Sequence, residues 1–161
     1  MQNEFVSQYA HTWRVFIRLV NDFDDESWLY TGRDATTPAR LSFHILKSTK
    51  YYLGDLSEMK FISGKSFEMN GQTAAEDELP SRNDILHGIV EFSRKTETWL
   101  SGLDYMSTND GFPWAGKTKL GLVIFLLRHS LYHLGELSCL LNESRNGNVE
   151  DNYVKALEGN L

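Results

Sequence analysis

The sequence predicts an all-α protein, a bundle of helices, and three observations carry that prediction. Apolar residues recur at helical spacing in four separate runs. Helix-start chemistry stands in front of two of those runs, at Thr37-Pro38 and at Ser81-x-x-Asp84. No segment of useful length alternates apolar and polar residues as a half-buried strand does.

The first run covers residues 3–23, where Val6, Ala10, Trp13, Ile17 and Val20 fall on one face and His11 falls opposite, towards solvent. Residues 21–35 read as an Asp-rich loop closed by Thr-Gly-Arg-Asp. The second helix starts with Thr37 as N-cap and Pro38 in the first turn, and its stripe runs Leu41, Ile45, Tyr52, Leu56 and Met59. His44 flanks that stripe, one turn after Leu41 and one before Ser48, and so faces the core or its rim. Residues 61–80 form a polar, glycine-containing connection of about twenty residues, long enough to be a functional loop or a crossover along the bundle.

The third helix opens on the Ser81/Asp84 capping box and turns Ile85, Ile89, Phe92, Thr96, Trp99 and Leu103 inward. His87 lies on its far side, so Asp84-x-x-His87 reads as helix-start chemistry rather than as a ligand pair. A second long loop, residues 104–117, holds Tyr105, Phe112, Pro113 and Trp114. The fourth helix, residues 118–142, is apolar on nearly every side, the mark of a helix central to the fold or buried at a subunit interface. The polar tail from Glu143 has room for one short helix at residues 151–157.

At 161 residues the chain has the size of one domain, residues 1–161, with enough length for a self-sufficient core. A net charge of −6 and the lack of any basic run argue against nucleic acid or an anionic membrane as partner. No unbroken apolar stretch reaches bilayer length, and Met1-Gln2-Asn3-Glu4 lacks a cationic leader, so a cytoplasmic protein is expected. The single cysteine, Cys139, excludes an intrachain disulfide; its apolar neighbours point to a small core residue.

Chemistry concentrates in the stretch Arg128-His129-Ser130-Leu131-Tyr132-His133-Leu134-Gly135-Glu136-Leu137. His129 and His133 are four apart and stand on one helix face, the spacing at which two imidazoles reach one metal ion. Their alternative role is that of buried histidines hydrogen-bonded to protein groups. His44 makes a third inward histidine, provided that the second and fourth helices are neighbours. Three neutral imidazoles with open positions beside them suit a divalent ion that activates water. Glu136, three residues beyond His133, has three open roles: metal ligand or base, acceptor behind a histidine, or a carboxylate paired with Arg128 or with another chain.

Other motifs fail on context. Gly111-Phe-Pro-Trp-Ala-Gly116-Lys117-Thr118 matches the P-loop pattern letter for letter, yet no strand precedes it, Pro113 removes an amide hydrogen, and Phe112 and Trp114 crowd a phosphate cradle. A helix start, with Lys117 or Thr118 near the cap and Trp114 packed as a lid, is the expectation. No His-Glu-x-x-His, no Glu-x-x-His pair and no Gly-x-Ser-x-Gly is present; Ser130 and His129 point to different helix faces.

With one histidine on the second helix and His-x-x-x-His on the fourth, the chain resembles the DinB/YfiT-like superfamily of metalloenzymes. The matching pieces are Thr37-Pro38-Ala39-Arg40-Leu41-Ser42-Phe43-His44-Ile45-Leu46 and Arg128 to Leu137, with Pro113-Trp114-x-Gly116 ahead of the last helix. The likeness spans residues 3–142. It implies an up-down-down-up four-helix bundle whose long crossover joins helices two and three, followed here by a short C-terminal helix. It also implies a divalent metal on His44, His129 and His133, zinc or nickel first, with iron, manganese or copper as alternatives, and a homodimer. Activities in the wider group include thiol transfer from low-molecular-weight thiols, isomerisation and hydrolysis. Glu136 departs from the pattern, where relatives commonly carry Gln, so a carboxylate there bears on metal preference or adds a base. Two functions follow as expectations: a metal-dependent hydrolase or thiol S-transferase acting on a small molecule, and a non-catalytic, metal-binding or stress-associated dimeric helical module.

Overall fold

The structure is a computed structural model that describes residues 2–32, 36–67, 78–147 and 151–157. Among them the chain is mostly helical: α1 (Gln2–Asp22), α2 (Asp25–Trp28), α3 (Pro38–Tyr52), α4 (Arg82–Gly102), α5 (Lys119–Ser144) and α6 (Asn152–Lys155). The only ladder among the described residues is a two-residue antiparallel pair, β1 (Met59–Lys60) with β2 (Ser66–Phe67). The four long helices correspond to the four sequence runs. Residues 68–77 of the expected crossover, and Arg33 to Ala35 of the first loop, lie outside the described residues.

The helix starts follow from short polar side chains that satisfy otherwise orphaned amides. Thr37 Oγ1 accepts from the Arg40 amide at 3.3 Å and Thr118 Oγ1 from the Gly121 amide at 3.4 Å. At α4 the box is reciprocal: Ser81 Oγ accepts from the Asp84 amide at 3.1 Å while Asp84 Oδ2 accepts from the Ser81 amide at 3.1 Å. Asp84 also accepts from the Ser63 amide at 2.9 Å, which ties the β1–β2 turn to the start of α4. Thr118 as helix cap is the role that displaces the P-loop reading.

α3 ends earlier than the apolar stripe. Gly54, at φ +87°, donates to Tyr51 O and the Asp55 amide to Lys50 O, the paired bonds of a helix terminated by a left-handed residue. Leu56 is consequently exposed, and Met59 reaches the core from β1 instead. The first loop contains the turn of helix α2, capped by Asp24, which the clustered Asp residues had disguised as plain loop.

α1 packs against α4, α5 and α6, and α3 packs against α4 and α5. Three neighbours make the buried face of α1 wider than its predicted stripe, adding Tyr9, Phe16 and Leu19. The core runs through Phe16, Leu19, Ile45, Leu46, Ile85, Ile89, Leu126, Leu137 and Leu141, each worth about 1.5–3 kcal/mol as burial of a large apolar side chain. Gly88 lets α3 approach α4: a Cβ there would stand 2.7 Å from Leu46 Cδ1.

Two residues fall on the other side of the surface from their expected place. His11 is buried, because α6 covers the face of α1 that local periodicity assigns to solvent; its Nε2 lies 3.0 Å from Tyr153 O. Beside it Arg14 Nε donates to Ala156 O at 2.9 Å. Cys139 is exposed, since Leu137, Leu140 and Leu141 take the inward positions of that turn. α5 is likewise not covered all round: Ile124 and Tyr132 face outward. No helix among the described residues is long and apolar enough to cross a membrane.

Candidate metal centre

α3 and α5 lie side by side and run in opposite directions, with His44 against His133 at one level and Tyr52 against Phe125 at another. Residues 44, 48 and 52 share one stripe of α3, and residues 125, 129 and 133 share the facing stripe of α5. The three inward histidines of the sequence therefore meet. Nε2 of His133 stands 3.1 Å from Nε2 of His44 and 3.2 Å from Nε2 of His129. One ligand atom from each of the three lies within 4.8 Å of the others, close enough to bind one metal ion. His11 and His87 take no part: the first is held under α6 and the second is exposed on α4.

The donor set fits a divalent ion. Nitrogens about 2.0–2.1 Å from a common ion stand about 2.9 Å apart at a right angle and about 3.3–3.4 Å at the tetrahedral angle. Both measured separations fall in that interval. Protein hydrogen bonding explains the cluster less well. His133 Nδ1 lies 2.6 Å from Glu136 Oε2, a contact that in the neutral ring puts the proton on Nδ1 and leaves Nε2 a bare lone pair. One in-plane lone pair does not accept two straight hydrogen bonds from His44 and His129 together.

Electrostatics keep His129 and His44 available as neutral ligands. Burial first, then repulsion from His133 and His44, together bring the His129 pKa down to about 4, against the opposing pull of Glu136. His44 stands at the rim, its outer side open to solvent and its Nε2 turned towards the other rings. Burial of that inner part holds it below the ordinary imidazole value, with His133 acting the same way and Glu136 opposing. Glu136 Oε2 lies against His133 Nδ1, the contact expected of an acceptor behind a histidine, one of its three open roles. Its contact orients the ring.

Aromatic rings close the other end of the two stripes. Phe125 stacks on His129 with centroids 6.0 Å apart, and Tyr52 lies edge-on to both Phe125, at 5.2 Å, and His129, at 6.2 Å. Residues 104–117 fold back over this end: Phe112 sits 5.2 Å from Tyr52, and Trp114 Nε1 donates to Tyr52 Oη at 3.5 Å. Trp114 remains 59% exposed, so it borders the centre rather than sealing it. The loop is anchored by a close backbone approach: a Cβ on Gly116, at φ +136°, would stand 2.7 Å from Gly121 Cα in the first turn of α5.

No family model, curated protein or solved structure matches this chain. The sequence stripe assigns Tyr52 to the core and does not single out Phe125 or Ser48. The i, i+4, i+8 rows through His44 and through His133 are the signal that finds Ser48, Tyr52 and Phe125.

Proposed function

We propose that the chain is a metal-dependent enzyme of the DinB/YfiT-like kind, with His44, His129 and His133 holding one divalent ion beside a small-molecule site. The observation that carries this reading is the convergence of three Nε2 atoms from two helices, with 3.1 and 3.2 Å between neighbours. Three imidazoles suit zinc or nickel first, and iron or copper after them. Bound there, a divalent ion supplies Lewis acidity, lowering the pKa of a water or a thiol so that it attacks near neutral pH.

The chain's own residues do the rest. Burial keeps His129 and His44 unprotonated and ready to bind. Glu136 fixes the ring of His133 through Nδ1. Phe125 and Tyr52 exclude water from one flank, and Phe112 and Trp114 border the approach for a substrate. Hydrolysis and S-transfer from a low-molecular-weight thiol are the reaction types that this set serves.

The architecture that goes with this function is an up-down-down-up four-helix bundle of α1, α3, α4 and α5. Cross-contacts support it. Tyr9 Oη donates to Val123 O near the starts of α1 and α5, and the opposed course of α3 against α5 supplies the down strokes. Gln2 Nε2 donates to Ser101 O, and Arg82 Nη1 to Phe23 O, which sets α4 against α1. The outward Ile124 and Tyr132 of α5 suit a helix-packed homodimer.

Metal analysis of protein purified without a histidine tag tests the premise. About one equivalent per chain is expected, and less than about a tenth would overturn it. Assays with ester, amide and glutathione- or bacillithiol-type substrates then separate hydrolase from transferase. A loaded protein inert to all of them would favour the non-catalytic module.

A further inference from the structure

Ser48 lies one turn after His44 and one turn before Tyr52, midway along the α3 stripe that faces Phe125, His129 and His133. A helical serine or threonine ordinarily returns its hydroxyl to the carbonyl one turn back. Thr49 does so, donating to Ile45 O at 2.9 Å. The hydroxyl of Ser48 instead lies 3.4 Å from His44 Nε2, the nitrogen that also stands 3.1 Å from His133 Nε2. The side chain is half-buried, between the imidazole cluster and the aromatic end of the groove. An ion held by the three imidazoles takes up the lone pair on His44 Nε2, which leaves the serine hydroxyl without that acceptor. The hydroxyl can then turn either to the His44 carbonyl one turn back or to an exogenous group that shares the ion.

We propose that Ser48 is a catalytic residue of this centre, its hydroxyl hydrogen-bonding the water, thiol or substrate oxygen held beside the three histidines. The inference rests on the metal reading above and extends it by a residue outside the ligand set. Ser48 and Glu136 then divide the work: the carboxylate acts from behind His133, and the hydroxyl acts on the ligand itself.

Cobalt-loaded protein tests this by absorption, without any need for a substrate. In a Cys139→Ser background the chain has no other thiol, because it contains one cysteine. Adding Ser48→Cys then puts a sulfur where the hydroxyl was. The expected result is a thiolate-to-cobalt charge-transfer band at one equivalent of cobalt, absent from the Cys139→Ser parent. A Ser48→Cys protein that is folded by circular dichroism, takes up one cobalt and shows no such band would overturn the inference. Ser48→Ala gives an independent reading through azide, titrated against the cobalt spectrum. It should still bind one cobalt but weaken azide by about tenfold, the value of a hydrogen bond to a charged ligand. Azide affinity within twofold of the parent would equally overturn it. If the parent itself binds no cobalt or zinc, the metal reading fails first, and that outcome is distinct from either of these.

Discussion

Replacing Glu136 by glutamine removes one charge and keeps the length of the side chain and an oxygen that still accepts from His133 Nδ1. The natural contact is short, 2.6 Å, and charge-assisted. Glu136 is 42% exposed, so water screens part of its effect. Carboxylates behind metal-bound histidines are worth about 10–100-fold in affinity, and this exposure puts Glu136→Gln near the tenfold end. Tenfold in Kd is about 1.4 kcal/mol, and in excess zinc that whole amount appears as lost stabilisation of the folded chain. At about 2–4 °C per kcal/mol for a chain of this length, zinc should raise the Tm of the variant by about 3–6 °C less than it raises that of the natural protein. Scanning calorimetry with zinc and with chelator measures this, and competition against a chromophoric chelator gives both Kd values. In chelator the two proteins should melt within about 1–2 °C, since a half-exposed pair contributes about half a kcal/mol. Zinc affinities equal within twofold would refute the argument that the carboxylate strengthens the ligand behind which it stands.

His44→Ala and His129→Ala should each lose tight zinc binding, whereas His87→Ala, altered at an exposed histidine on α4, should keep one equivalent; metal analysis after dialysis reads all three. The pKa of His129, pushed down from 6.5 to about 4, means that the unfolded chain binds the proton more readily than the folded one between those values. Metal-free protein should therefore hold this increment of stability above pH 6.5 and lose it as pH falls towards 4, and His129→Gln should flatten that part of a Tm-against-pH curve. Asp84→Ala removes the acceptor for Ser63 N, Ser81 N and Ser81 Oγ, and should cost about 2–3 kcal/mol in a urea melt. Gly116→Ala would press a methyl group against Gly121 at a positive φ and should cost about 2 kcal/mol or more, with displacement of Trp114 visible as a shift in its fluorescence.

Most of the fold was legible because its helices are specified locally. Thr37, Ser81 and Thr118 announce their helices through an oxygen that an amide needs, and three inward histidines follow from counting by 3.6. What local periodicity could not supply was the identity of the neighbours. His11 is polar-side by phase and buried in fact, because its cover comes from α6, more than a hundred residues along the chain. Cys139 sits among Leu137, Leu140 and Leu141 in sequence, yet a helix gives each turn only one inward edge. The end of α3 hinged on one glycine at positive φ, which stops the helix while the apolar pattern continues past it. Ser48 carried no signal by itself, since a serine on a helix flank is commonplace until the opposite helix is known.

Two of the three imidazoles belong to a single turn of α5, so a fragment that merely coils there already presents a pair. The third is eighty-five positions upstream of the nearer one. It arrives only when α3 has docked at the right height, and a slip of one turn along the helix, about 5.4 Å, would carry it out of range. On the proposed metal reading, ion uptake should come in two grades, feeble for the coil alone and firm for the assembled pair. The step between them is a gauge of how far assembly has gone, readable during refolding with no label attached.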